Sequence, residues 1–236
     1  MGGYDRLTVV GSSTIIRRPQ IGIGTPMANR AAEATRPHAV LLDLGGVIVD
    51  IDPLACFDSW AQAAGVDVGA IAPRWAVDDA YKAFEVGAID FDGYLDSLSR
   101  RLGISLTRTQ WQTGWNELLR DLFEDVARLL PLVAAELPLY VFSNTNPVHQ
   151  EAWLSRFASA LTPIRKIYTS WEVALRKPNV EAYLAVADDI GVAPTDILFV
   201  DDNAENVAGG KAAGLDARLV RTPAETVALL RGLLGE

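Results

Sequence analysis

Ala39-Val-Leu-Leu-Asp43-Leu-Gly-Gly-Val-Ile-Val-Asp50 is the stretch that decides how this chain is read. Apolar residues run without a break into a carboxylate, and two glycines follow. A continuous apolar run without polar alternation is what a strand buried on both faces of a parallel sheet requires. In an open α/β sheet, ligands are met beyond the carboxyl ends of the strands. Asp43 stands at such an end, and Gly45 and Gly46 let the backbone turn sharply and approach a ligand closely.

Similar runs recur downstream. Leu137–Asn144, the weaker Lys166–Ser170, Ile197–Asp202 and Ala217–Val220 read as further strands. Helical stretches separate most of them. One starts at Pro147 and another runs from Pro178 to Ile190, where Gly191 stops it. A third runs from Asn203 to about Ala213, before Gly214. Thr222-Pro-Ala-Glu225 has the form of a capping box and starts the last. Strands alternating with helices predict an α/β fold with a doubly wound parallel-sheet, Rossmann-like core.

The interval from Pro53 to Pro131 breaks this alternation. It is far longer than a βαβ crossover needs, carries a helical rhythm throughout, and holds four of the six tryptophans (Trp60, Trp75, Trp111, Trp115). It predicts a helical cap inserted after the first strand. The expected organisation is a catalytic core over 37–52 and 132–236, a cap over 53–131, and a flexible tail over 1–36. Gly, Ser, Thr, Pro and Arg without a period mark the tail, and Met27 is a candidate for the functional start. Arg17-Arg18 is followed by Pro19 and by no apolar segment of a targeting signal.

Composition narrows the function. The chain has 236 residues, half of them hydrophobic, and a net charge of −9. A domain-wide basic footprint for nucleic acid is absent, and no run approaches the roughly 18 apolar residues of a membrane span. A single cysteine, Cys56, excludes a disulfide framework and fits a cytoplasmic protein, with the thiol read as structural. No nucleic-acid or membrane partner is expected, and the expected state is a monomer or homodimer.

The polar groups at the strand ends carry the chemistry. Asp43, Asp201 and Asp202 bring up to three carboxylates together, a costly arrangement unless a proton or a cation joins them. Hard oxygen donors without a His or Cys cluster select Mg²⁺ rather than zinc. Ser143 and Asn144 are donors for phosphate oxygens, and Lys177 supplies positive charge to both phosphate and nucleophile. Phosphoryl transfer asks a protein mainly for positioning and charge stabilisation, and a carboxylate can act as its nucleophile.

Taken in order, Asp43 with Gly45-Gly46-Val47, Ser143-Asn144-Thr145, Lys177 in Arg-Lys-Pro, and Val200-Asp-Asp-Asn203 through Gly214 resemble the four motifs of the haloacid dehalogenase superfamily of phosphohydrolases. With Asp43–Asp52 and Phe84-Glu-Val-Gly-Ala-Ile89 added, the chain is similar to the bacterial α-D-glucose-1-phosphate phosphatase branch. The resemblance implies a helical cap and an aspartyl-phosphate on Asp43. It also implies Mg²⁺ held by the Asp43 carboxylate, the Gly45 carbonyl and the fourth-motif aspartates, with Asp202 a direct ligand and Asp201 supporting. It implies phosphatase action on a small phosphorylated metabolite, with a sugar phosphate such as a hexose 1-phosphate as the expected substrate and partner.

One position departs from the superfamily pattern. Gly45 stands where most of these phosphatases carry an aspartate as general acid and base. Water, a cap residue or Asp50 are the candidate substitutes. Two alternatives follow: a catalytically weak phosphate-ester-binding or regulatory protein, and a 2-haloacid dehalogenase. Tyr81, Phe84, Glu85, Trp111 and Trp115 are candidates for the substrate pocket. His149, in the helix after Ser143-Asn144-Thr145, is expected in a surface or helix-capping role, and His38 in a structural role.

Overall fold

The computed structural model describes residues 36–236. The tail expected over 1–36, with Met27 and Arg17-Arg18, lies outside the described residues except for Arg36.

Seven strands are present among the described residues: β1 Ala39–Leu42, β2 Val49–Ile51, β3 Leu119–Leu122, β4 Leu139–Ser143, β5 Lys166–Thr169, β6 Ile197–Asp201 and β7 Asp216–Leu219. Five form one sheet in the order β5-β4-β1-β6-β7, paired in parallel throughout. β1 is central, with Leu42 opposite Val141 on one side and Val200 on the other. All four of its residues are fully buried, which explains the unbroken apolar run.

The helices are α1 Pro53–Ala64, α2 Val68–Ile71, α3 Asp79–Glu85, α4 Phe91–Leu102, α5 Arg108–Asn116, α6 Glu124–Glu136, α7 Pro147–Leu161, α8 Ser170–Val173, α9 Val180–Ile190, α10 Ala204–Ala212 and α11 Pro223–Leu234. Val40 and Leu42 face one core cluster, built with Val126 and Leu130 of α6, Trp153 of α7 and Leu230 of α11. Ala39 and Leu41 face the other, built with Tyr183 and Val186 of α9 and Val207 of α10. Alternate side chains of one strand thus feed two cores, as the strand period of two dictates, and the sheet is covered on both faces.

A third cluster lies outside the sheet and joins α1, α3, α4 and α5. Its centre is Trp60, fully buried, with Trp115 stacked on it at a ring distance of 5.7 Å and Trp111 edge-on at 5.1 Å. Trp60 Nε1 donates to the Trp111 carbonyl at 3.0 Å, so the indole N–H is satisfied where water is excluded. Gly114 makes this fit: a Cβ there would lie 2.3 Å from the Trp60 ring.

Two expectations are corrected. The interval from Pro53 to Pro131 is not helical throughout, because Leu119–Leu122 forms β3, antiparallel to β2, with Ile51 opposite Leu119. The chain therefore enters and leaves the cap through one two-stranded ribbon, and this pairing overrides the local helical pattern. Nor does the cap reach residue 131. α6 buries Val126, Leu130 and Val133 in the core cluster, so it belongs to the core. Pro131 lies inside this helix and does not end it, although its ring removes one N–H from the ladder.

Candidate active site

The ends of β1, β4 and β6 converge on a cavity of about 1270 Å³ between the sheet and the cap. Asp43 follows β1, Ser143 ends β4, and Asp201 ends β6. Lys177, from the loop before α9, is fully buried between them. Its ammonium lies 2.9 Å from Asp43 Oδ1 and 2.6 Å from Asp201 Oδ2, above the Phe142 and Phe199 rings at 5.5 Å from each centroid. Apolar walls make those ion pairs strong and make an unpaired charge costly.

Asp201 is saturated. Besides Lys177, it accepts from the Asn203 backbone N–H at 2.8 Å and from Asn206 Nδ2 at 3.1 Å to each oxygen. Tyr183 in turn donates to the Asn206 carbonyl at 2.6 Å, tying α9 to the start of α10. Asp43 is only half engaged: Oδ1 accepts from Lys177 and from the Leu44 N–H at 2.7 Å, while Oδ2 has no hydrogen bond among the described residues.

Asp202 reaches the same point from the other side. A Cβ at Gly46, whose φ is +75°, would fall 2.2 Å from Asp202 Oδ2. Only glycine suits that backbone and that closeness. Asp43, Asp201 and Asp202 each offer an oxygen within 4.8 Å of the others. Three carboxylates then face one ammonium. Burial pushes Asp43 up to about 8; Lys177 pulls it the other way, and Asp201 and Asp202 add repulsion. Asp202 is also raised, by burial and by Asp201. Burial alone would lower Lys177, but Asp43 and Asp201 together hold it above its ordinary value. The cluster is short of positive charge, and an all-oxygen donor set fits a hard divalent cation.

The remaining predicted residues fall as follows. Ser143 and Asn144 line the cavity. The Asn144 amide is occupied by the Lys177 backbone, donating to its carbonyl and accepting from its N–H, both at 2.9 Å. It therefore braces the lysine loop. Gly45 lines the cavity too, and a Cβ there would meet Ile51 Cγ2 at 3.3 Å. Asp50 is exposed on β2 and does not line the cavity, which removes it as a substitute acid. Tyr81 and Trp115 line the cavity, whereas Phe84 and Trp111 are buried in the cap cluster.

His149 is not at the surface. It is buried, stacks on Trp115 at 4.9 Å, and its Nε2 donates to the Trp115 carbonyl at 2.8 Å while Nδ1 accepts from Asn146. Burial pulls it down to about 4. Cys56 is buried and directs its thiol to the Trp115 carbonyl, and burial pushes it up to about 12; it is no nucleophile. His38 is an exposed neighbour of Asp196. The sequence reading missed the pairing of Arg176 with Glu85, whose atoms approach to 2.7 Å from opposite sides of the cap–core seam. Nothing local signals a pair so far apart in sequence.

The sheet is covered by helices on both faces, and a buried lysine lies between two strand-end carboxylates at its carboxyl edge. A haloacid dehalogenase-like hydrolase model matches residues 37–214, and the chain belongs to that family. It is 27% identical over 184 residues to a D-ribitol-5-phosphate phosphatase of Bacteroides thetaiotaomicron, covering 75% of this chain and 88% of the relative. It is 26% identical over 204 residues to a phosphatase of Mycobacterium tuberculosis, covering 80% and 89%. Its fold matches a haloacid dehalogenase family enzyme from B. thetaiotaomicron, solved as a magnesium complex, with a TM-score of 0.73, 24% identity, and coverage of 83% and 99%. No described helix is long and apolar enough to cross a membrane.

Proposed function

We propose that this protein is a Mg²⁺-dependent phosphatase. Its substrate is a small phosphorylated metabolite, a sugar phosphate such as a hexose 1-phosphate, and its nucleophile is Asp43. The observation that carries this reading is the half-engaged Asp43 carboxylate: Lys177 and the Leu44 N–H fix Oδ1, and Oδ2 has no hydrogen bond among the described residues. Both named relatives are phosphatases, one of them for a sugar-alcohol phosphate.

Asp43 Oδ2 attacks phosphorus, the bond from phosphorus to the ester oxygen breaks, and an aspartyl-phosphate forms. Water then attacks that phosphorus and returns the carboxylate. Lys177 stays charged throughout and holds Asp43 in line. Ser143 donates to a phosphate oxygen. Asp43, Asp202 and the Gly45 carbonyl, with Asp201 in support, would hold Mg²⁺, which would supply positive charge to offset that of the phosphate. With glycine at residue 45, the leaving oxygen takes its proton from water.

Phosphate release from a panel of sugar phosphates, with Mg²⁺ and with EDTA, tests the reading. Release that needs Mg²⁺ and vanishes in Asp43→Asn is expected. A fully active Asp43→Asn protein would refute it.

A further inference from the structure

The cavity holds Asp43, Lys177 and Asp202. The cap lines it with Phe57, Trp75, Val77, Tyr81 and Trp115, and the core adds Arg176. Arg176 is adjacent to Lys177 in the chain and is the partly buried cation of this wall, its side chain 18% exposed. Left alone, a guanidinium there would offer a fork to a second phosphate or a carboxylate on the leaving group.

It is not left alone. Glu85, at the end of α3, reaches across the seam and accepts from Arg176 Nε at 2.7 Å, with only 3% of its side chain exposed. The pair is neutral. The other charged groups on the cavity wall, Lys82 and Glu205, are exposed, opposite in sign, and screened by water. An anion on the leaving group would lose its hydration against aromatic walls and find no unpaired buried cation among the described lining residues. The wall suits a neutral group with an apolar face and hydroxyls.

We propose that Glu85, by neutralising Arg176, is a specificity-determining residue that selects phosphate monoesters with uncharged leaving groups and rejects those whose leaving group carries a second phosphate or a carboxylate. The proposal rests on the phosphatase reading above.

The test uses the full chain with Mg²⁺ and matched pairs of esters: glucose 1-phosphate against glucose 1,6-bisphosphate, glycerol 3-phosphate against 3-phosphoglycerate, and ethyl phosphate against phosphoglycolate. In each pair, kcat/KM is expected to favour the neutral leaving group by about tenfold or more, the discrimination one unpaired buried charge supplies. Glu85→Gln, which frees Arg176, is expected to narrow that ratio by raising kcat/KM for the anionic member. Arg176→Gln, which leaves Glu85 uncompensated, is expected to widen it, and it serves if Glu85→Gln does not fold. Equal or reversed preference in the parent overturns the proposal, as does an unchanged ratio in the folded variant. Failure to hydrolyse any member, acetyl phosphate included, overturns the phosphatase reading together with the preference built on it. Hydrolysis without preference overturns only the preference.

Discussion

Ile51 crowds the place of a side chain at Gly45: a Cβ at Gly45 would lie 3.3 Å from Ile51 Cγ2 and 3.5 Å from Cδ1, so the isoleucine would have to give way by a few tenths of an ångström. The absent acid–base carboxylate is therefore a property of two residues, not one. Gly45→Asp alone is expected to lower kcat, because the new side chain must displace Ile51. Gly45→Asp combined with Ile51→Ala is expected to raise kcat on alkyl phosphates by at least about tenfold, below the full 10²–10⁴ that a positioned acid can supply. Steady-state rates on esters of rising leaving-group pKa check this, and the gain should be greatest for the poorest leaving groups.

The Asp43 carboxylate ties activity to stability. Its folded value of about 8 stands above the unfolded value near 3.8. The metal-free protein thus holds a proton that the unfolded chain would release. That contribution is complete below about pH 4 and is lost as pH rises through about 8. In EDTA the melting temperature is expected to fall over that window, and Mg²⁺ is expected to remove much of the fall by binding the ionised form. Asp43→Asn should flatten the metal-free profile and abolish phosphate release. Thermal melts at several pH values, with and without Mg²⁺, decide it.

His149 acts in the opposite direction. Its folded value, about 4, lies below the ordinary 6.5 because burial opposes the charged ring. Its contribution is present above about pH 6.5 and is lost as pH falls towards 4, at about 1.4 kcal/mol per unit. Acid should therefore loosen the contact between α7 and Trp115 of the cap. His149→Gln is expected to make the midpoint of urea unfolding less sensitive to pH between 6.5 and 4.5.

Lys177→Met leaves two buried carboxylates facing each other without their ammonium. Loss of one partner of a buried ion pair costs about 3–5 kcal/mol. The variant is expected to lose phosphate release and to melt well below the parent. Adding Asp201→Asn to it should recover part of the melting temperature without restoring turnover, and differential scanning calorimetry separates the two effects.

Gly114 sets how closely α5 approaches α1. With 2.3 Å between its would-be Cβ and the Trp60 ring, Gly114→Ala must push the tryptophan stack apart, at a typical overpacking cost of about 1–3 kcal/mol. A shift in tryptophan fluorescence together with a lower melting temperature is the expected signature.

Parts of this architecture are written locally and parts are not. β1 and β6 are legible because both faces are buried and the sequence carries no polar interruption. Asp43, Lys177 and Asp201 are legible because strand ends and the lysine loop fall in chain order. β3 is not: Leu119-Arg-Asp-Leu122 becomes a strand only because Ile51 and Val49 lie opposite it. Asn144 is legible as a polar residue at a strand end, but its service to the Lys177 backbone depends on a loop 33 residues away. His149 reads as a polar residue in the first turn of a helix, and only the Trp115 ring above it explains its burial. Ile51 gives no hint in sequence that it crowds the place of a missing side chain.

The β2–β3 ribbon has a mechanical consequence. Both chain connections of the cap are hydrogen-bonded to each other, so they cannot travel separately: whatever displaces Ile51 carries Leu119 with it. The cap is held like a page bound along one edge, its entry and its exit sewn into one ribbon. Ile51 also stands where a Cβ at Gly45 would lie 3.3 Å from its Cγ2, so the ribbon adjoins the loop that follows Asp43.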